Sequence, residues 1–153
     1  MILETRSNWP FFEYEEGMEI QIAYLDDETN NTLVKQSTKI GFKRHQKTEE
    51  TDVLELRRKI VRKTLVGWNL KNKHVQAMIE PSVEMTLQDG ETWEDVFPFN
   101  EENKRLVVEN LNWQFGEWVV GMAKDVAAYE AARKAREKQN LSPGSTSKEA
   151  KKN

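Results

Sequence analysis

Pro98 and its neighbours constrain this chain more than any other stretch. In Phe97-Pro98-Phe99-Asn100-Glu101-Glu102-Asn103-Lys104, the proline disfavours helical backbone at Phe97. Asn100 is a good N-cap, and Glu101 and Glu102 set negative charge at the positive end of the helix that follows. The loop-to-helix boundary is therefore sharp. Phe99, just before the cap, is expected to pack on Val107 or on an N-terminal hairpin rather than to staple onto Lys104 or Arg105. The helix it opens is short, about residues 100–110. Beyond it, Phe115, Trp118, Val119, Met122 and Val126 recur at helical spacing, which predicts one long helix over about 113–138. Tyr129 extends that stripe.

Upstream, Met18, Ile20, Ile22 and Tyr24 alternate with Glu19, Gln21 and Ala23. Period-two alternation argues for a half-buried strand. Phe11 and Phe12 supply its hairpin partner, and Gly17 suits the turn, giving a hairpin over about 9–25. Such a hairpin needs helices to pack against. Asp26-Asp27-Glu28 opens a helix over about 27–39 with Leu33, Val34 and Ile40 facing inward, and Gly41 stops it. Residues 42–50 read as an exposed loop.

Thr51 or Asp52 opens a clearer amphipathic helix, about 52–66, with Val53, Leu54, Leu56, Ile60, Val61 and Leu65 at helical spacing. Arg57, Arg58, Lys59, Arg62 and Lys63 lie on its polar side, and Gly67 ends it. For Lys71 to Glu94 two readings stand side by side: a second hairpin closed by Asp89-Gly90, or a surface loop with one strand. The fold class expected is α+β, mainly α. It has three to four helices and one or two small β-hairpins in a single α-rich domain, residues 1–138, with a disordered C-terminal tail at 139–153. The tail reading rests on Ser142-Pro143-Gly144-Ser145-Thr146-Ser147, whose composition cannot build a core.

Composition narrows the function classes. A net charge of −3 gives no field of the kind that a non-specific nucleic-acid binder needs. No apolar run approaches the roughly 18 residues of a membrane span. Met1-Ile2-Leu3-Glu4-Thr5-Arg6 lacks the basic and apolar regions of a signal peptide, so a cytoplasmic protein is expected. The absence of cysteine excludes disulfides, thiolate metal sites and a cysteine nucleophile.

Chemistry-bearing motifs are missing too. His45 and His74 have no second ligand at metal-binding spacing, so no metal is expected. There is no Gly-x-Ser-x-Gly elbow and no phosphate-cradling glycine loop. Carboxylate pairs such as Asp26-Asp27, Glu49-Glu50 and Glu101-Glu102 sit at turns or helix starts, where capping accounts for them. Neither an enzyme nor a cofactor is expected. The five tryptophans are many for so hydrophilic a chain. Trp113 and Trp118 are about 140° apart on a helix, so both cannot share one buried stripe. An aromatic left at the surface favours a protein interface.

Taken in order, these landmarks resemble the tail assembly chaperones of long-tailed phages and prophages. The matching elements are the strand after Gly17-Met18, the acid-started helix at Asp26-Asp27-Glu28 with Leu33 and Lys35, and the helix ending in Val66-Gly67-Trp68. The likeness closes with Phe97-Pro98-Phe99-Asn100-Glu101-Glu102-Asn103-Lys104-Arg105-Leu106 and the helix of Phe115, Trp118 and Val119. The resemblance implies a non-catalytic protein that coats the tape-measure protein, helps recruit tail-tube subunits, and is absent from the mature virion. It places partner contacts on Trp113, Phe115, Trp118 and Met122 and on Arg58 and Arg62 of the basic helix. The C-terminal tail is then expected to hold the assembly or recruit tube subunits, and self-association remains open. Two alternatives stand: a small DNA-associated regulator that uses the basic helix, and a structural head–tail or tail-completion subunit.

Overall fold

A computed structural model describes residues 8–140. The fold is α+β and mainly α. The expected tail at 139–153 lies outside the described residues from 141 onward.

Two strands, β1 (Phe11–Glu13) and β2 (Glu19–Ile22), form the expected N-terminal hairpin. Its turn passes through Gly17 at φ +80°, a conformation that glycine adopts without steric cost. Ile20 and Ile22 are fully buried, as the alternation predicts. Helix α1 (Asp27–Gln36) follows, with the Asp26 carboxylate accepting from the Thr29 N–H at 2.7 Å.

The expected course after α1 is corrected. The helix ends at Gln36, not Lys39, and residues 38–51 form a second hairpin rather than a helix end and a loop. Strand β3 (Thr38–Lys43) pairs antiparallel with β4 (Gln46–Thr51). Thr38, Ile40 and Phe42 are strong strand formers at alternate positions. Ile40 points outward, 61% exposed, so its inward reading fails. Gly41 sits in mid-strand opposite Thr48.

Helix α2 (Val53–Thr64) is capped by Asp52, which accepts from the Glu55 N–H at 3.0 Å. It buries Ile60, Val61 and Thr64, then passes without a turn into β5 (Leu65–Asn69). Gly67 therefore does not end the helix. It faces Gln21 across a sheet of order β1-β2-β5, where a side chain on Gly67 would collide with that of Gln21.

The open stretch after β5 is neither hairpin nor simple loop. Asn72–Ala77 form a short 3-10 helix, with Val75 and Met78 turned into the core. The remainder hooks back along it: Asn72 N–H donates to Asp95 O at 2.9 Å, Lys73 N–H to Trp93 O at 3.0 Å, and Phe97 N–H to Leu70 O at 2.9 Å. Phe97 stacks on Trp68, Phe99 meets the same ring edge-on at 4.7 Å, and the Trp68 indole N–H donates to Phe97 O at 2.8 Å. The Pro98 element thus clamps β5: Phe99 packs on Trp68 of the strand, and the Lys104 ammonium lies over its ring, 5.9 Å from the centroid, a contact that was not expected.

Helix α3 (Glu101–Glu109) starts where the sequence places it, with Asn100 Oδ1 accepting from the Asn103 N–H at 2.8 Å. The expected single helix over 113–138 is two helices, α4 (Trp113–Ala123) and α5 (Val126–Asn140). The break has a cause: Asp125 Oδ1 accepts from the Ala128 N–H at 3.0 Å and so caps a new helix. Val126, expected on the inward stripe, falls at that break and is 55% exposed. One core joins β2, α2, β5, α3 and α4 through Ile20, Val61, Leu65, Val107, Phe115 and Val119.

Candidate protein-binding surface

The structure separates the six residues expected at a partner interface. Phe115 belongs to the core: it has no exposed surface and meets Tyr14 edge-on at 5.1 Å, so it is not available to a partner. That placement corrects the expectation. Trp118 is half-buried, tilted against Tyr14 with ring centroids 4.9 Å apart, and Met122 likewise packs against the core. Both are only partly exposed.

Trp113 is the outward member of the set, 49% exposed in the first turn of α4. Asn112 fixes that turn by accepting from the N–H groups of Gln114 and Phe115 at 2.8 and 3.2 Å. The 140° spacing of the two tryptophans is resolved with Trp113 outside and Trp118 against the body. Over the Trp113 ring lies the guanidinium of Arg57, its central carbon 3.5 Å from the ring centroid. Glu117, one turn along α4, stands 4.0 Å from the same guanidinium. Arg57 itself is largely buried, and its Nη1 makes no hydrogen bond within the chain.

Arg57 is a residue that sequence reasoning placed only on a solvated face. It reaches α4 because Gly116 lacks a side chain: a Cβ there would stand 2.8 Å from Arg57 Cδ. Val53 and Leu54, expected inward, are 54% and 40% exposed in the first turn of α2. Leu54 sits one turn before Arg57 on the same helix. The edge of the α2–α4 pair therefore combines exposed apolar side chains with a desolvated cation on an aromatic face.

Arg58 and Arg62 lie on a different side of α2, towards α3. Arg62 is exposed and borders a groove with Glu101, Glu102, Lys104 and Arg105. Arg58 is half-buried with its Nε unpartnered. Burial holds the Lys104 ammonium below its ordinary pKa, and Arg62 pushes the same way. Among the described residues, Arg58, Lys59, Arg62, Lys63 and Lys104 form no ion pair within 4.0 Å. They make a basic ridge diluted by the two glutamates.

Among the described residues no three His, Cys, Asp or Glu side chains are grouped to hold a metal, and no helix is long and apolar enough to cross a membrane. No protein-family model, curated protein or solved structure matches this chain.

Proposed function

We propose that this chain is a non-catalytic assembly chaperone of a long-tailed phage or prophage. In this reading it works in the host cytoplasm, covers apolar stretches of a tape-measure protein, helps recruit tail-tube subunits, and is left out of the virion. The strand after Gly17, the helix capped by Asp26 and the helix start at Asn100 support the family, whereas Val66-Gly67-Trp68 lies in β5 and not at a helix end. The exposed Trp113 on Arg57, with Val53 and Leu54 exposed one turn before that arginine on α2, carries the binding reading. Tryptophan and arginine dominate the energetics of protein interfaces, and a cation already held on an aromatic face costs little further ordering. A long helical client with apolar patches needs a cover of that kind, reversible and without chemistry.

The test is co-expression with the candidate tape-measure protein. Trp113→Ala should weaken client binding more than about tenfold while the fold persists. A client whose solubility is unchanged by the wild-type chain, or a Trp113→Ala variant that protects it equally, removes the reading. The basic ridge around Arg62 supports a second reading, a DNA-associated regulator. Phosphate contacts predict steep loss of affinity with salt in a mobility-shift assay.

A further inference from the structure

The β3–β4 hairpin takes no part in the surface just described. It leaves the body after Ser37 and returns at Asp52, where Asp52 N–H donates to Ser37 O at 2.9 Å and the Thr38 and Thr51 hydroxyls meet at 2.8 Å. Past that clasp every residue of β4 is exposed, and Phe42 on β3 is 77% exposed. Among the described residues the ribbon is a two-stranded sheet of its own, so both long edges lack a neighbouring strand. Two strands alone are marginal in water. The turn makes matters worse, because Arg44 and His45 both sit in left-handed backbone at φ 53° and 66° without being glycine. Such a ribbon gains most from a third strand.

The β4 edge matches itself. A two-residue turn closes the ribbon, so Lys43 and Gln46 form the first closely bonded pair and alternate residues direct their main-chain groups outward. On β4 those residues are Lys47, Glu49 and Thr51. Let a second β4 lie antiparallel across this edge with Thr48 opposite Thr48. Lys47 then opposes Glu49 of the second copy, Glu49 opposes Lys47 of the second copy, and Gln46 opposes Glu50. No like charges meet, and opposite-charge and Thr–Thr pairs both stabilise cross-strand contact. Lys47 and Glu49 already share one face, their charged atoms 3.6 Å apart within the chain.

Lysine on a free edge ordinarily blocks pairing. A blocking edge carries one sign and repels its own copy, whereas the alternation of Lys47 and Glu49 attracts its copy. Strand β3 has two lysines and no acid, and offers no such match. We infer that two copies of this chain associate through β4, antiparallel and centred on Thr48, to form a four-stranded sheet of order β3-β4-β4-β3.

Two experiments on the full chain test this, both independent of client binding at Trp113. The chain has no cysteine, so Thr48→Cys is an unambiguous probe. Opposed residues at a non-hydrogen-bonded antiparallel position have Cα atoms about 4.5 Å apart, within disulfide reach. Mild oxidation of Thr48→Cys should give a covalent dimer, and Lys124→Cys, an exposed control, should not. In sedimentation equilibrium, Lys47→Glu and Glu49→Lys should each weaken association by about tenfold, and the double exchange K47E/E49K should restore it. A chain that stays monomeric throughout overturns the inference. So does a dimer that both single exchanges leave unchanged.

Discussion

The Tyr129 hydroxyl donates to the main-chain oxygen of Ile22 across 2.7 Å, joining the last helix to the central strand of the three-stranded sheet. Around it, Trp9, Phe12 and Tyr24 meet the Tyr129 ring edge-on with centroids 6.1, 5.3 and 5.3 Å away. α5 is exposed along most of its length, and it is docked by this cluster together with Arg136, whose Nη1 donates to Asn8 O at 3.1 Å.

Tyr129→Phe keeps the ring and removes the bond, and should lower unfolding free energy by about 1 kcal/mol in urea titrations. The phenol also predicts an alkaline limb. Burial, followed by Asp125 and Tyr24, pushes its pKa above the ordinary value of about 10. The folded chain then holds a proton that the unfolded chain releases. Stability is complete below about pH 10 and falls as pH climbs from the unfolded value towards the folded one. Thermal unfolding followed upward from about pH 8 should show the loss in wild type and a shallower one in Tyr129→Phe.

Two aromatics two residues apart should respond in opposite ways. Phe115→Ala empties a fully buried site and should cost about 3–5 kcal/mol of stability. Trp113→Ala loses surface contact and the Arg57 stack, about 1 kcal/mol, and should act on client binding instead. Chemical denaturation read beside a binding assay separates the two. Equal stability losses would contradict the assignment of Trp113 to the surface.

The glycines of α4 make a paired test. In an open helix interior, alanine in place of glycine is favourable by about 1 kcal/mol. A methyl group on Gly121 would meet nothing within 4 Å, so Gly121→Ala should stabilise by roughly that amount. At Gly116 the same methyl would stand 2.8 Å from both Arg57 Cδ and Leu111 Cδ2. Gly116→Ala should instead cost about 1–3 kcal/mol through overpacking and should lift Arg57 off Trp113, visible as a change in tryptophan fluorescence. A stabilising Gly116→Ala would show that Arg57 moves aside freely.

Acid should loosen the segment after β5. His74 Nδ1 accepts from the Lys71 N–H at 2.9 Å, which requires that nitrogen to be unprotonated. Burial, then Lys73 and Lys71, hold the His74 pKa below its ordinary value. A histidine depressed in the folded state contributes stability that is present above about pH 6.5 and declines as pH falls below it. Glu94, held below the usual carboxylate range by hydrogen bonds from Lys73 and Lys71, acts in the same direction at lower pH. Between about pH 7.5 and 5.5, wild type should lose thermal stability more steeply than His74→Ala. Parallel slopes would assign the acid sensitivity elsewhere.

Helix starts were legible because a cap is local. Asp26, Asp52 and Asn100 each bond the N–H that their spacing predicts. The ribbon was not, because Gln46–Thr51 is polar throughout and its Arg44-His45 turn lacks the Asn-Gly signal of a tight hairpin. Strand β5 was hidden by following α2 without a turn, so Leu65 and Val66 read as more helix. Asp125 gives no visible break in the sequence, because Val126-Ala127-Ala128 continues the helical composition on its far side. At the candidate surface, helical angle alone separated Trp113 from Trp118. The Arg57 stack was out of reach, since it depends on how closely α2 approaches α4 at Gly116.

The clasp at Thr38 and Thr51 has one more consequence. Its two hydroxyls lie 2.8 Å apart, so the chain leaves the body and re-enters it at nearly the same point. Everything between is a cassette, encoded without interruption and closed at its base. Excising residues 39–50 in favour of a short glycine link should leave the α1–α2 packing intact, and grafting the same stretch into a hairpin of another scaffold should carry its pairing preference along.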